Sequence, residues 1–290
     1  MRADRMKLSV LTPSYDYAHY LEDALTSVDR QHGASVEHVV IDDGSHDDSV
    51  EVLRRWPREL VWRAKPNAGL SATLNDCLAD ASGDVVGWLN ADDYYLPGAL
   101  ERALAIFRAQ PRTDVVFGDS VFVDAAGRVT RLLGQHPFQR RLLTRLPSPP
   151  LSPVALFIRR SALPARPFDE GMRVLMDWDL YFQLADRGAR FHYEPRCFGA
   201  FRRHEAQASG EPMGDDHPEW VRLTSRHGMR RGNAGRLDRL AGNAAHAALK
   251  LVAGSYRRQL TTNGLRGRDT RWFATQEGAD TAASLLGMYR

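Results

Sequence analysis

The sequence predicts an α/β domain with a mixed, mostly parallel sheet flanked by helices, followed by a helical C-terminal extension. Short β-rich runs alternate with amphipathic helical stretches over the first 120 residues, which is typical of a sheet covered by helices. The run Val85 to Leu89 is almost continuously apolar, as expected of a central strand buried on both faces. Leu237 to Leu260 is rich in Ala and Leu and predicts helix. We therefore expect one domain over residues 1–210 and a basic, mainly helical extension over 211–290.

Each element is predicted from the period of its apolar residues and from the breakers that separate it from the next. In chain order we expect strands at 8–12, 36–41, 60–64, 85–89 and 115–119, helices starting near 20, 50, 70, 98 and 177, a hairpin turning at Ala126-Gly127, a loop at Pro147 to Pro153 and a linker at Gly210 to Pro218.

Composition excludes several classes of protein. The chain is 43% hydrophobic and 26% charged, which is ordinary for a globular domain, and no apolar run approaches the ~20 residues of a membrane span. The apolar run after Lys7 is too short for a signal peptide, so we expect a cytoplasmic protein. Cys77 and Cys197 lie far apart and form no CxxC pair, which predicts buried thiols.

Charge is distributed unevenly along the chain. The overall formal charge is +3, but the part beyond Glu219 is clearly basic and the remainder is acidic. The basic extension could act as a brace or lid on the catalytic domain, contact an anionic membrane peripherally, or form a homo-oligomer interface. Nucleic acid binding is disfavoured because no recognised module accompanies the charge.

Polar loops follow three of the predicted strands. In open α/β sheets, ligands bind beyond the carboxyl ends of the strands, so these loops predict a binding site. Asp92-Asp93 directly follows the central strand and suits a hard divalent cation carrying a diphosphate. The alternative for this pair is a helix N-cap beside a solvated aspartate.

The chain also contains, in order, the runs VLTPSYDYAHYLEDALTSV, VVIDDGSHDDS and KPNAGLSATLNDCLADASGDVVGWLNADDYYLPGALE. These runs resemble the inverting family-2 glycosyltransferases of the GT-A fold, particularly the bacterial ones whose metal motif is written LNxDD. The resemblance extends over residues 7–205. It implies a Rossmann-like GT-A domain that moves a sugar from a nucleotide diphosphate, UDP rather than dTDP or GDP, to a saccharide or lipid-linked acceptor.

The resemblance assigns the site residue by residue. It implies a catalytic base at the start of a helix, a nucleotide-sugar site at the strand ends, and a site for Mn²⁺ or Mg²⁺. The base is Asp177; the nucleotide-sugar residues are Thr12, Pro13, Tyr15, Asp42, Asp43, Asn67, Gly69, Asn90 and Asp92; the metal ligands are Asp92, Asp93 and His204.

The chemistry needs these residue types independently of the family. A base must take the proton of the acceptor hydroxyl, and a cation must stabilise the departing diphosphate. Asp179 is the second candidate for the base. Asp119 either faces the acceptor or forms a turn, and Lys65 is expected to be solvated.

The resemblance points to assembly of a cell-surface polysaccharide such as O-antigen or capsule. One alternative is an inactive nucleotide-sugar-binding subunit, because Asn90 and Met176 replace acidic residues that are common in the family. Another is a nucleotidyltransferase, although no Gly-rich basic loop follows the first strand.

Overall fold

The computed structural model describes residues 6–31, 34–146, 151–205, 207 and 214–269. The first part of the predicted loop at Pro147 to Pro153 and the first part of the predicted linker at Gly210 to Pro218 lie outside the described residues. The strands are β1 Leu8–Ser14, β2 Val36–Asp42, β3 Val61–Ala64, β4 Val85–Trp88, β5 Tyr94–Tyr95, β6 Val115–Val123, β7 Val129–Leu133, β8 Leu156–Arg159 and β9 Phe191–Arg202. The helices are α1 Ala18–Asp29, α2 Ser49–Arg55, α3 Leu70–Asp80, α4 Ala99–Ala109, α5 Arg140–Leu143, α6 Met176–Asp186, α7 Pro218–His227, α8 Gly232–Val252 and α9 Ser255–Thr261.

One mixed sheet joins the strands in the order β3-β2-β1-β4-β8-β6-β9-β5, with β7 paired to β6. β1 runs parallel to both β2 and β4, so the carboxyl ends of these three strands meet at one edge. β8 is inserted antiparallel between β4 and β6, and β6 pairs with β9 in a long parallel ladder. The predicted mixed, mostly parallel sheet flanked by helices is confirmed.

Helices cover both faces of the sheet. α1 and α4 pack on one face, and α3, α5, α6 and α7 pack on the other. The predicted central strand is correct, because all four residues of β4 are buried. The two cysteines are buried free thiols, as predicted.

The helical stretch predicted from Leu237 to Leu260 is confirmed, and it consists of two helices. α8 ends at Val252 and α9 begins at Ser255. The break falls at Gly254, whose φ of 71° is left-handed and therefore favours glycine. Among the described residues, no helix is long and apolar enough to cross a membrane.

α9 is attached to the sheet through Asp119, which corrects the expectation that Asp119 faces the acceptor or forms a turn. Asp119 is 1% exposed within β6. Its Oδ1 accepts hydrogen bonds from the Gln135 N–H (2.7 Å) and the Tyr193 hydroxyl (2.8 Å), and its Oδ2 accepts one from Arg258 Nε (2.9 Å). Asp119 is therefore an internal anchor for the C-terminal helices.

Candidate active site

The carboxyl end of β1 contributes one exposed side chain to the predicted nucleotide site. Thr12 and Pro13 lie inside the sheet, and Thr12 Oγ1 is 2.9 Å from Nε2 of the buried His38. Burial lowers the pKa of His38 to about 3, so this imidazole is neutral. Tyr15, just beyond the strand, is 41% exposed. Of the three predicted residues, Tyr15 is thus the one that offers its side chain to a ligand.

Asp42 shapes the turn after β2. Its Oδ1 accepts hydrogen bonds from the backbone N–H groups of Gly44 (3.1 Å) and Ser45 (2.9 Å), and its Oδ2 accepts one from Ser45 Oγ (2.5 Å). The Asp42 side chain is fully buried. This turn is linked to β1, because Ser45 Oγ also lies 2.9 Å from the Asp16 backbone nitrogen. Asp42 therefore organises the site from within.

Asp43 holds the loop Asn67 to Gly69, which we call the donor loop because the resemblance implies nucleotide-sugar residues at Asn67 and Gly69. Its Oδ1 accepts hydrogen bonds from Lys65 Nζ (2.6 Å) and the Ala68 N–H (2.9 Å), and its Oδ2 accepts one from the Gly69 N–H (2.8 Å). The Lys65 side chain is 12% exposed, so the expectation that Lys65 is solvated is wrong. The carboxylate replaces water as the partner of the ammonium group. Asp43 and Lys65 therefore lie together beside the donor loop, and Asp43 fixes it through the N–H groups of Ala68 and Gly69.

The donor loop depends on two glycines. Gly69 has a φ of 89°, which favours glycine at the residue before α3. Gly44 has a φ of 83°, and a Cβ there would lie 2.9 Å from the Asn67 backbone nitrogen. The loops after β2 and β3 can approach this closely because Gly44 has no side chain. Asn67 itself is exposed at this edge.

The acidic cluster follows β4, as predicted. Asn90 Oδ1 accepts a hydrogen bond from Trp88 Nε1 (2.7 Å), and Asn90 Nδ2 lies 3.4 Å from Asp93 Oδ2. Asp93 is 1% exposed, and its Oδ1 accepts the Arg202 backbone N–H at 2.9 Å. Burial first, and the negative charge of Asp92 second, raise the pKa of Asp93 well above its usual range. Burial and the charge of Asp92 therefore disfavour the ionised form of Asp93, and a cation bound beside it would favour that form.

His204, which is 112 positions after Asp92 in the sequence, contacts this cluster. Its Nε2 lies 3.0 Å from Asp92 Oδ2, and both side chains are 6% exposed. The Tyr17 ring packs edge-on against the His204 ring at 5.5 Å. The Gln207 amide nitrogen is 3.2 Å from the same Asp92 oxygen. The structure thus brings together Asp92 and His204, two of the three predicted metal ligands.

Arg202 is buried behind the acidic cluster and contacts the turn that carries Asp92 and Asp93. Its guanidinium donates to the backbone oxygens of Asp92 (2.8 Å) and Ala125 (2.9 Å) and to Asp23 Oδ2 (2.6 Å). The side chain is 3% exposed and lies 4.4 Å from the centre of the Tyr20 ring. Arg202 therefore fixes the turn that carries the acids.

The side chains at this cluster could supply some of the ligands of a divalent cation, but not all of them. Among the described residues, no group of three His, Cys, Asp or Glu side chains converges to hold a metal. Asp92 Oδ2 and His204 Nε2 are separated by 3.0 Å. Adjacent ligand atoms are ~3 Å apart around an octahedral ion with bonds of about 2.1 Å. The protein therefore offers two ligand atoms, which suits an ion that is completed by water and phosphate oxygens.

Asp177 stands at the start of α6 and is half-buried. Its Oδ1 accepts the Trp178 backbone N–H at 2.6 Å. Burial raises the pKa of Asp177 to about 7, with Glu219 adding to the rise, while backbone hydrogen bonds oppose it. A carboxylate with such a pKa can accept a proton near neutral pH.

Asp179, the second candidate for the base, has a different environment. It is fully buried, and its carboxylate accepts hydrogen bonds from Arg226 Nη1 (2.9 Å), Gln183 Nε2 (2.8 Å) and His227 Nε2 (2.8 Å). Burial alone would raise the pKa of Asp179, but these partners lower it. Asp179 therefore ties α7 to α6 and has no free oxygen for a substrate.

The segment before α6 links Asp177 to the donor loop. Ser71 Oγ, in the first turn of α3, donates to the Met172 carbonyl at 2.6 Å. The Asn75 side chain donates to the Phe168 carbonyl (2.8 Å) and accepts the Phe168 N–H (3.1 Å). The Phe168 ring meets Trp88 edge-on at 5.4 Å. α3 thus follows the donor loop directly and is hydrogen-bonded to the segment before Asp177. Through Phe168, that segment also contacts Trp88 at the end of β4.

Comparison with known proteins decides the family. The sequence model of "Glycosyl transferase family 2" matches residues 9–164, more than half of the chain. The chain belongs to glycosyl transferase family 2. An uncharacterized glycosyltransferase of Nostoc sp. is 34% identical to it over 131 residues, which are 42% of this chain and 41% of that protein. Chondroitin synthase of Pasteurella multocida is 26% identical over 200 residues, 66% of this chain and 20% of that enzyme.

Solved structures confirm the GT-A fold of this family-2 glycosyltransferase. Residues 1–349 of TarS from S. aureus, in complex with UDP-GlcNAc, superpose with a TM-score of 0.58 at 17% identity. The match covers 97% of this chain and 80% of that one. A mannosyltransferase of Pyrobaculum calidifontis in complex with GDP-Man and Mn²⁺ superposes with a TM-score of 0.52 at 18% identity, covering 97% and 86%.

Sequence reasoning missed three groups in this glycosyltransferase. Arg202 follows the apolar run Cys197 to Phe201 at the end of β9, a placement that could have signalled a buried partner. Tyr17 packs on His204, and burial raises its pKa, with Asp92 and Asp93 adding to the effect. Glu219 follows Pro218 at the start of α7, and no sequence signal connects it with residues more than forty positions earlier.

Proposed function

We propose that this glycosyltransferase moves a sugar, with inversion and with the help of a divalent cation, from a UDP-sugar to a hydroxyl of a saccharide or lipid-linked acceptor. The contact between Asp92 and His204, 112 positions apart in sequence, carries this proposal. It places an oxygen and a nitrogen ligand beside the buried Asp93, whose ionised form is disfavoured by burial and by the charge of Asp92. A divalent cation at this point would stabilise both carboxylates in their ionised form.

Three groups divide the chemistry. Asp92 and His204 would hold the cation, and Tyr15 with the loop Asn67 to Gly69 would contact the nucleotide. The cation, when bound, stabilises the charge on the leaving diphosphate by several kcal/mol. Asp177 takes the proton of the acceptor hydroxyl as the new bond to the sugar forms and the bond to the diphosphate breaks. A positioned base contributes about 10²–10⁴-fold to the rate.

The choice of UDP draws support from the structural neighbours. TarS has been crystallised with UDP-GlcNAc and with UDP, whereas the Pyrobaculum mannosyltransferase was crystallised with GDP-Man and Mn²⁺. Relatives named chondroitin synthase and hyaluronan synthase favour a polysaccharide as the acceptor. We therefore place the reaction in cell-surface polysaccharide assembly, of which O-antigen and capsule are examples.

Thermal unfolding with UDP, dTDP and GDP, each with and without Mn²⁺, tests the donor site. A ligand at ~100 times its Kd adds about 2.7 kcal/mol of stability. We expect UDP with Mn²⁺ to stabilise the protein, and this effect to disappear in Asp92→Asn and His204→Gln but to persist in Asp177→Asn. Equal stabilisation without Mn²⁺ would contradict the metal site. Stabilisation without transfer to any acceptor would favour the inactive-subunit alternative.

The exposed face of α8 supports a peripheral contact with an anionic membrane at its cytoplasmic side. α8 buries Gly235 and Gly242, and a Cβ at Gly242 would clash with the Arg145 carbonyl oxygen. Two glycines of α8 thus pack inward, while several of its large aliphatic side chains face outward. In the described part of α8 and α9, five aliphatic side chains are 67% to 87% exposed: Leu237, Leu240, Leu251, Val252 and Leu260.

Charge complementarity selects an anionic lipid surface as the partner. The exposed arginines around this face are Arg230, Arg231, Arg236 and Arg257. Apolar insertion combined with basic flanks is the pattern of a helix that lies in the membrane interface.

Flotation with phosphatidylglycerol vesicles at low and high salt tests the membrane contact. We expect binding at low salt, weaker binding at high salt, and loss of binding in the double variant Leu240→Gln, Leu251→Gln. Val61→Gln is the matched control, since Val61 is 45% exposed on the edge strand β3. Absence of binding at low salt would remove the membrane contact from the proposal.

A further inference from the structure

The first turn of α7 places a carboxylate over the segment that leads into α6. Glu219 Oε1 accepts the Arg173 N–H at 2.8 Å. Glu219 Oε2 accepts the N–H groups of Val174 and Leu175, both at 2.9 Å. Three successive N–H groups around one carboxylate form an anion nest. Leu175 is the N-cap residue of α6, and Asp177 follows two positions later.

This nest fixes the segment that enters α6, and it acts before the first helical N–H groups. The first N–H groups of a helix have no partner within the helix. Leu175 carries no polar group, and α6 has no side-chain cap hydrogen bond at its N-terminus. Within the helix, the Trp178 N–H is bound by Asp177 Oδ1, whereas Glu219 holds, from another helix, the three residues that come before α6.

α7 is secured at both of its ends, so Glu219 is itself well placed. Trp220, next to Glu219, packs on Trp178 with ring centres 5.6 Å apart. At the other end of α7, Arg226 and His227 hold the buried Asp179. These contacts hold the Glu219 carboxylate in a fixed position relative to α6. Both of its oxygens accept hydrogen bonds from backbone N–H groups.

We propose that Glu219 is a positioning residue for sugar transfer: by holding the N–H groups of residues 173–175 it directs the Asp177 carboxylate toward the acceptor hydroxyl. This inference rests on the proposed role of Asp177 as the base. Glu219 acts through Asp177 and does not touch the reacting atoms. A displacement of a catalytic group by ~1 Å can reduce the rate by about 10²-fold, so the effect of losing the nest is measurable.

The charge of Glu219 gives this role a pH signature. The ionisable groups that face Asp177 are Glu219 from α7 and Tyr181 one turn along α6. Burial is the main cause of the raised pKa of Asp177, and the negative charge of Glu219 adds to it. Removing that charge lowers the pKa of Asp177, so the acid limb of the kcat profile moves to lower pH.

The test compares Glu219→Gln with a matched control, Glu37→Gln. Glu37 accepts hydrogen bonds from Lys7, Ser9 and Ser82 at the opposite edge of the sheet. Hydrogen exchange of the 173–175 backbone N–H groups and a ¹³C NMR titration of Asp177, assigned with Asp177→Asn, require no substrate. We expect faster exchange and a lower Asp177 midpoint in Glu219→Gln, and neither change in Glu37→Gln.

The kinetic readout separates positioning from a purely structural role. In Glu219→Gln we expect kcat to fall ~10–100-fold with the KM for the donor nearly unchanged. Glu219→Asp, which retains the charge, should return the acid limb to its wild-type position and recover part of kcat. If exchange rises while kcat and the Asp177 midpoint stay at wild-type values, Glu219 is only a helix cap and the inference is overturned.

Failure of this inference can be told apart from failure of the proposed function. If Asp177→Asn retains transfer activity, the assignment of the base is wrong. If Asp177→Asn is inactive but Glu219→Gln is fully active with a wild-type pH profile, the base stands and the positioning role of Glu219 fails.

Discussion

Replacing Asp177 with asparagine is expected to stabilise the fold while it removes the proposed base. Burial raises the pKa of Asp177 from 3.8 to about 7. Between these pH values the folded protein holds a proton that the unfolded chain has released. Stability therefore falls as pH rises through this range, and the loss is complete above about pH 7. Asparagine carries no charge and can accept the same hydrogen bond from the Trp178 N–H.

The size of the gain follows from the same pKa. Each pKa unit corresponds to about 1.4 kcal/mol, so ionisation of Asp177 destabilises the folded state by at most ~4 kcal/mol. Because the side chain is half-buried, water screens part of this penalty. We therefore expect Asp177→Asn to be about 2 kcal/mol more stable than the wild type at pH 8. The difference should vanish near pH 4.

Urea unfolding of both proteins at pH 8 and near pH 4 measures this difference directly. A linear dependence on urea gives the free energy of unfolding in each condition. If Asp177→Asn is no more stable than the wild type at pH 8, or gains the same amount at both pH values, the carboxylate does not have the raised pKa. The electrostatic reason for choosing Asp177 as the base would then be refuted.

Two further variants probe the contacts that hold the site. Asp179→Asn leaves Arg226 and the buried His227 incompletely paired, so we expect the free energy of unfolding in urea to fall by about 3 kcal/mol. This change is opposite in sign to that of Asp177→Asn. Unchanged stability would contradict the bridge between α6 and α7. Arg202→Met leaves buried carbonyl oxygens without donors, including that of Asp92, and should lower stability by roughly 3 kcal/mol and abolish stabilisation by UDP with Mn²⁺. Retained nucleotide binding in this variant would show that the acidic turn holds its shape unaided.

Local patterns predicted the first half of the sheet correctly. The period of apolar residues is a local signal, and Gly44 lies just beyond the end of β2. The first strand, expected at 8–12, continues through Pro13 to Ser14, because both residues pair with β2. The antiparallel insertion of β8 between β4 and β6 could not be predicted in this way. It depends on pairing between residues more than forty positions apart, such as Val115 and Ile158.

In the candidate site, too, residues with a local sequence signal were predicted, and residues that depend on distant partners were not. The acids after β2 and β4 were found because a strand end followed by carboxylates is visible in sequence. Lys65 was misjudged, since a lone lysine in a polar loop looks solvated until its partner Asp43 is known. Arg202 was missed for a similar reason, because its contacts with Asp23 and Ala125 arise only when β9 reaches the acidic turn.

Asp177 and Asp179 show most clearly how the C-terminal helix α7 changes the environment of side chains in the candidate site. They have the same side chain and stand two positions apart on one helix, so they point about 200° away from each other. α7 supplies Arg226 and His227 to Asp179, which lowers its pKa and occupies its oxygens. Towards Asp177, α7 presents the negative Glu219, which adds to the rise of its pKa. The same helix therefore occupies the oxygens of one aspartate and adds to the raised pKa of the other, so in the proposed mechanism α7 is part of the site although it lies outside the 9–164 match.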